Sequence, residues 1–133
     1  MKINSKSKKL IIFGIGKGGQ HGFKFFKKNY NIIAFCDNNS KMYGEYFFNI
    51  PVIGPYDIER YDFDEIAICS SYKNEIYEQL VSELGFSPNK INILDNDILI
   101  FGPGKPFLFY GLSFLIFLGL TSILALLIFN LFL

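Results

Sequence analysis

The chain has 133 residues, and its 13 lysines and arginines nearly balance its 12 aspartates and glutamates to give a net charge of +1. That balance, with no Lys/Arg stripe among aromatic residues, excludes a typical nucleic-acid-binding protein, and the length allows one small domain. Cys36 and Cys69 lie inside apolar runs, which predicts buried thiols in a reducing compartment rather than a disulfide or a metal site.

Residues 1–8 form a basic polar tail, and residues 9–95 then alternate short apolar runs with helical patterns. Continuous apolar runs, unlike alternating ones, are typical of parallel strands that are covered on both faces. Five strands are predicted, at Lys9–Phe13, Ile32–Cys36, Ile50–Gly54, Glu65–Cys69 and Ile91–Leu94. Helices are predicted over 20–29 and 72–84, a single helical turn over 56–61 and a turn-rich stretch over 40–49. We therefore expect an α/β fold with an open, parallel, Rossmann-like sheet of strand order 3-2-1-4-5.

The last part of the chain has a different composition, because no charged residue follows Lys105. The apolar run 107–133 is about 27 residues long and would rise roughly 40 Å as a helix, more than the ~30 Å hydrocarbon core of a bilayer. The sequence therefore predicts a juxtamembrane linker over 96–106 and one transmembrane helix over 107–133. The head would lie on the cytoplasmic side of the inner membrane, with membrane lipid as a partner, in a protein that is either tail-anchored or the front of a longer membrane protein.

A glycine-rich loop separates the first predicted strand from the first predicted helix. Gly14, Gly16 and Gly19 match the pattern G-x-G-x-x-G in the strand–turn–helix context that this motif requires. Gly14 would make the tight turn, Gly16 would let a pyrophosphate approach the backbone, and Gly19 would allow close packing of the helix on the sheet. The helix N-terminus would attract the anion, with Ile15 and Lys17 in the same loop.

Asp37 ends the second predicted strand, about 18 residues after Gly19, where a carboxylate can accept hydrogen bonds from a ribose diol. Asn38 follows it and no arginine is near, which favours NAD or another unphosphorylated ribose over NADP. Ser70 and Ser71 end the strand on the other side of the first, at the predicted ligand crevice. Two alternatives stay open: a tight turn without a ligand for the loop, and helix N-capping for the two serines.

Five segments together resemble the Rossmann-like domain of bacterial nucleotide-sugar and surface-glycan proteins. This domain precedes the catalytic part of pilin-glycosylation-type sugar acyltransferases and of membrane polysaccharide-biosynthesis dehydratases/epimerases. The segments, within about residues 8 to 94, are KKLIIFGIGKGGQ, IIAFCDNNSKMYGE, NIPVIGPYDI, DEIAICSS and ELGFSPNKINIL. Asn49 stands where this resemblance leads us to expect glycine, and asparagine tolerates a positive φ better than most residues.

The resemblance implies a domain that binds a nucleotide, a UDP-sugar or NAD, with Gly14, Gly16 and Gly19 on the phosphates and Asp37 on the ribose. Neither the β-helix with catalytic histidine of the acyltransferases nor the Tyr-x-x-x-Lys of the dehydratases/epimerases is found in the sequence. We therefore expect a membrane-anchored nucleotide-binding module of cell-surface glycan synthesis, working with a catalytic membrane partner or as a homo-oligomer. The alternatives are an N-terminal fragment of a dehydratase/epimerase or sugar-phosphate transferase, and a non-binding scaffold.

Other chemistry-bearing residues give weaker patterns. His21, the only histidine, follows the glycine loop and is expected to face solvent or pack on a neighbour. The acidic cluster Asp62, Asp64 and Glu65 is expected to form a solvated loop, and its spacing does not suit a metal site. No complete catalytic constellation is present, so the sequence does not identify the chain as an enzyme.

Overall fold

The computed structural model describes residues 7–104 and 107–131, the side chains of 107–114 excepted, and the chain divides into two units after Pro103. In the described part of the first unit, one sheet contains six strands. They are β1 (Lys9–Phe13), β2 (Asn31–Cys36), β3 (Tyr46–Phe47), β4 (Ile50–Ile53), β5 (Glu65–Ile68) and β6 (Ile91–Ile93).

The sheet is mostly parallel and has the order β3-β4-β2-β1-β5-β6. This differs from the predicted order 3-2-1-4-5, because an additional edge strand, β3, pairs antiparallel with β4 inside the stretch predicted as turn-rich. The other five strands run parallel, with β1 at the centre between β2 and β5. A mixed α/β fold with a Rossmann-like sheet is therefore confirmed.

Buried side chains cover both faces of the sheet, as the continuous apolar runs predict. Along β1, Ile11 and Phe13 belong to one core cluster, whereas Leu10 and Ile12 belong to the cluster on the opposite face. This division follows from the alternation of side chains along a strand. All four are at most 1% exposed, and burying each stabilises the fold by roughly 1.5–3 kcal/mol.

The edge hairpin β3–β4 turns through Phe48 and Asn49, whose φ angles are 50° and 60°. Positive φ at both central residues is the hallmark of a type I′ turn, in which the twist matches that of the two strands. Asn49 thus takes the conformation expected of the glycine that it replaces. Phe48 is held in its unfavourable conformation by the ring of Phe23, which is stacked on it at a centroid distance of 4.3 Å.

The helices differ from prediction at their ends. Helix α1 (Lys17–Phe26) begins three residues earlier than predicted, because Gly16 is its N-cap. Helix α2 (Lys73–Glu78) continues as a π-helical segment over Gln79–Glu83, and the predicted turn at 56–61 is a 3₁₀-helix over Pro55–Arg60.

Residues 96–101 belong to the predicted linker but form a helix, α3 (Asn96–Phe101). Its N-cap is Asp95, whose side chain accepts a hydrogen bond from the backbone N–H of Asp97 at 2.9 Å. Ile98 and Leu99 pack against the core cluster on the face of the sheet that also carries α1. The helix forms because a cap and two apolar side chains outweigh the breaking effect of the glycines that follow.

The second unit contains helix α4 (Phe107–Leu131). No helix in the described part of the chain combines the length and the hydropathy that crossing a bilayer requires. This finding contradicts the predicted transmembrane helix and, with it, the predicted single-pass location in the inner membrane.

Candidate functional site

A crevice opens at the carboxyl ends of β1, β2 and β5, where the connections leave β1 towards both edges of the sheet. Ligands of open α/β sheets bind at such a switch point. The crevice has two adjoining lobes of about 650 Å³ and 310 Å³, which share Gly14, Asp37, Asn38, Ser70 and Tyr72 as lining residues. All nine residues predicted for the nucleotide site except Gly19 line it.

The three motif glycines meet different surroundings. Gly14 has a φ of 114°, and a Cβ there would lie 2.7 Å from the carbonyl oxygen of Cys69. A Cβ on Gly19 would lie only 2.1 Å from the carbonyl oxygen of Gly14, whereas one on Gly16 would meet nothing within 4 Å. Gly14 and Gly19 are therefore required by the fold itself, and Gly16 alone faces open space.

The N-terminus of α1 favours an anion at this open position. The N-cap, Gly16, supplies no side-chain hydrogen bond, and the first turn contains no acidic residue. The first N–H groups of a helix lack intrahelical partners and carry the positive end of its dipole. Lys17, exposed in the same turn, adds a positive charge beside the larger lobe.

Asp37 is fixed beside the loop by hydrogen bonds to both of its carboxylate oxygens. One oxygen accepts from the backbone N–H of Ile15 at 3.3 Å, and the other accepts from the backbone N–H of Asn39 at 2.8 Å. A carboxylate can accept about four hydrogen bonds, so this half-buried group retains capacity for two hydroxyl donors. The carboxylate is thus held at the crevice without being saturated.

The serines after β5 lie at the opposite wall. The hydroxyl of Ser70 accepts a hydrogen bond from the backbone N–H of Tyr72 at 3.2 Å, so Ser70 shapes the turn into α2. Ser71 is exposed and lines the larger lobe. The N-cap of α2 is Tyr72 and receives no side-chain capping bond, so neither serine has the N-cap position that the alternative gave it.

Several lining residues have no counterpart in the sequence prediction. Tyr72, Glu75, Ile76 and Gln79 line the smaller lobe, and their spacing of three to four residues places them on one side of α2 and its continuation. That spacing, starting directly after Ser70 and Ser71, is the signal that would have found them. Leu99 and Ile100 line the larger lobe from α3, inside the predicted linker.

The remaining candidates are engaged in structural contacts. The Nδ1 atom of His21 lies 2.8 Å from the carbonyl oxygen of Leu99, so this histidine packs on a neighbouring helix. The ammonium groups of Lys9 and Lys8 pair with Asp62 and Glu65, the second at 2.6 Å. Asp64 accepts a hydrogen bond from the backbone N–H of Lys9 at 2.7 Å. Within the described residues, no three potential metal ligands come together.

Both cysteines are buried and unpaired with each other, as predicted. Burial raises the pKa of the Cys69 thiol to about 12 and raises that of Cys36 as well, with the carboxylate of Asp37 adding to the effect at Cys36. Both groups are therefore neutral thiols at pH 7, which makes them poor nucleophiles and poor metal ligands.

Solved structures with similar folds share little sequence with the chain. UDP-D-quinovosamine 4-dehydrogenase from Vibrio fischeri is 17% identical, with a TM-score of 0.55 over 70% of this chain and 84% of that chain. RSP, a Rex-family repressor, is 18% identical, with a TM-score of 0.51 over 68% of this chain, which spans about half (54%) of the repressor. These likenesses show a Rossmann-like fold.

Sequence comparisons identify a family. No curated protein matches the chain in sequence. A family model described as C2185-like, N-terminal, matches residues 6–92, about two thirds of the chain. The chain therefore belongs to the C2185-like, N-terminal family.

Proposed function

We propose that the first unit binds a dinucleotide of the NAD type in the crevice between the glycine loop and Asp37. The observation that carries this proposal is the arrangement of Gly16 and Asp37. An open helix N-terminus, where a diphosphate would bind, lies beside a carboxylate held by the N–H of Ile15, where a ribose diol would bind. Both groups belong to one crevice at the switch point of the sheet.

NAD suits this crevice better than NADP does. A 2′-phosphate on the ribose would meet the carboxylate of Asp37, and like charges at hydrogen-bonding distance repel. The residues that follow, Asn38, Asn39 and Ser40, offer no cation to compensate. A UDP-sugar has the same diphosphate and ribose diol and is the alternative ligand.

The biological setting that we propose is surface-glycan synthesis, and it rests on the segments that resemble glycan-biosynthesis proteins. The fold neighbour from Vibrio fischeri, a UDP-D-quinovosamine 4-dehydrogenase by name, fits this setting. The crevice holds the carboxylates of Asp37 and Glu75 but no histidine, since His21 is bonded to Leu99. The unit would therefore present its nucleotide to a catalytic partner.

Calorimetric titration of the full chain with NAD⁺ and with UDP-N-acetylglucosamine tests this proposal. We expect saturable binding of NAD⁺, and loss of that binding in Gly16→Val, because the added side chain would fill the open position of the diphosphate. Gly119→Val is the matched control: Gly119 lies in α4, and a Cβ there also meets nothing within 4 Å.

Three results would contradict the proposal. Binding of neither nucleotide by a folded chain would favour the scaffold alternative. Tight binding of the UDP-sugar alone would replace NAD with the alternative ligand. Unaltered affinity in Gly16→Val would remove the glycine loop from the site.

A further inference from the structure

Two carboxamide side chains face each other across the crevice. The amide nitrogen of Asn38 donates to the carbonyl oxygen of Gln79, and the amide nitrogen of Gln79 donates to the carbonyl oxygen of Asn38, both at 3.0 Å. Asn38 directly follows Asp37 at the end of β2, and Gln79 lies 41 residues further along the chain. The pair joins the two walls of the smaller lobe.

The backbone at Gln79 is unusual, because this residue begins the π-helical segment Gln79–Glu83. Such segments are rare and occur frequently at functional sites. On either side of Gln79, Ile76 is 6% exposed and Leu80 is fully buried, so the helix is anchored in the core at both points. The Gln79 side chain is thereby directed at the crevice from a rigid base.

The lobe next to this pair has the composition of a pocket for a flat ring. Phe13 and Ile76 form an apolar floor, at 1% and 6% exposure. Tyr72 lies at the junction of the two lobes with 68% of its surface exposed, and an exposed aromatic ring can stack on a nucleobase. A base on the ribose held by Asp37 can reach this lobe, because Asp37 itself lines it beside Asn38.

The pair also offers the hydrogen bonds that a base needs. A carboxamide presents a donor and an acceptor side by side, and the Watson–Crick edge of adenine presents the complementary pair, its 6-amino group and N1. In the structure each carboxamide satisfies the other in this way. When an adenine edge enters, its 6-amino group and N1 can bond to one carboxamide oxygen and one carboxamide nitrogen of the pair, and the amide groups that are freed can bond to water because Asn38 is exposed.

We propose that Asn38 and Gln79 determine base specificity by exchanging their mutual hydrogen bonds for the edge of adenine. This inference rests on the proposed function and extends it from the diphosphate and ribose to the base. The ligand class that it names is an adenine nucleotide whose 6-amino group and N1 are free.

The test compares NAD⁺ with 1,N⁶-etheno-NAD⁺, in which the etheno bridge occupies both the 6-amino group and N1. Calorimetry on the full chain should give about tenfold weaker binding for the etheno analogue, the effect of losing one or two hydrogen bonds. In Gln79→Ala, the affinity for NAD⁺ should fall about tenfold, and the two ligands should then bind with equal affinity. Ser82→Ala, a neutral change at an exposed position in the same π-helical segment, is the control and should behave like the unaltered chain.

Asn38→Ala removes the other partner of the pair and should also abolish discrimination between the two ligands. This second variant keeps the test valid if Gln79→Ala does not fold. Equal affinity of the unaltered chain for the two ligands, or discrimination that survives both substitutions, would overturn the inference. If the affinity for NAD⁺ depends on Gly16 but not on Gln79, this inference fails and the proposed function stands. If NAD⁺ does not bind at all, the proposed function fails with it.

Discussion

At the scale of single residues, the glycine loop shows that one motif combines two physical requirements. Gly14 and Gly19 are needed because backbone atoms occupy the space that a side chain would take. At Gly19 the blocking atom is the carbonyl oxygen of Gly14. Gly16 has free space around it, so folding does not require it to be glycine. A requirement for glycine at that position would come from a ligand.

This difference predicts opposite results for two identical substitutions. Gly19→Ala should lower the free energy of unfolding by about 3 kcal/mol, because its methyl group would overlap the Gly14 carbonyl. Gly16→Ala should lower it by about 1 kcal/mol or less, the usual effect at an N-cap. Urea denaturation of both variants measures the two values, and equal losses would show that the loop is not packed as described.

Glu65 provides a pH-dependent test away from the crevice. The hydrogen bond from Lys8 holds the pKa of this carboxyl below its usual 4.5, partial burial opposes the effect, and the hydroxyl of Tyr30, 3.0 Å away, adds to it. A lowered pKa stabilises the folded chain above pH 4.5, and this stabilisation is lost as the pH falls through the folded-state value.

Glu65→Gln should therefore reduce the free energy of unfolding at pH 7 by about 1 kcal/mol. The difference from the unaltered chain should shrink as the pH falls from 4.5 through the folded-state pKa, below which the carboxyl is protonated in both states. Denaturation at pH 7 and at pH 3 gives the comparison. A difference that stays constant with pH would mean that the charge of Glu65 is not involved.

At the scale of elements, strands were more predictable than their surroundings. β1, β2 and β5 could be predicted from continuous apolar runs, because a strand that is buried on both faces needs apolar residues at successive positions. β3 has only two residues, and α3 depends on docking against α1, so neither produces a local pattern of its own. The Asn38–Gln79 pair was also beyond prediction, since it joins positions 41 residues apart.

Helix α3 is short, and its contact with His21 should be important for its stability. His21→Ala should remove the hydrogen bond to the Leu99 carbonyl and speed amide hydrogen exchange at Leu99 and Gly102, whose N–H groups bond within α3. Gln20→Ala, at the neighbouring exposed position on α1, is the control and should leave exchange unchanged. If α3 exchanges equally in both variants, its position depends on Ile98 and Leu99 alone.

At the scale of the whole molecule, the first unit places its chemistry at one edge of the sheet. The carboxyl ends of three adjacent parallel strands bring together residues from the start, middle and end of the unit. The buried strands below give that edge a rigid base. This arrangement suits ligand binding at the carboxyl ends of the strands.

A ligand that binds only the folded state must stabilise the whole unit. NAD⁺ at about 100 times its dissociation constant should add roughly 2.7 kcal/mol to the free energy of unfolding. The same concentration of NAD⁺ should leave the free energy of unfolding of Asp37→Ala unchanged, because this variant lacks the carboxylate that would bind the ribose. Thermal denaturation with and without NAD⁺ measures this, and equal stabilisation of both chains would exclude Asp37 from the site.

The most direct test maps amide chemical shifts in the ¹⁵N-labelled full chain during addition of NAD⁺. The largest changes should fall on the backbone N–H groups that surround the crevice, at Gly16, Lys17, Asn38 and Ser71. Resonances of the β3–β4 hairpin, including Phe48, should stay in place. Changes confined to the hairpin or spread evenly over the chain would contradict a nucleotide site at the glycine loop.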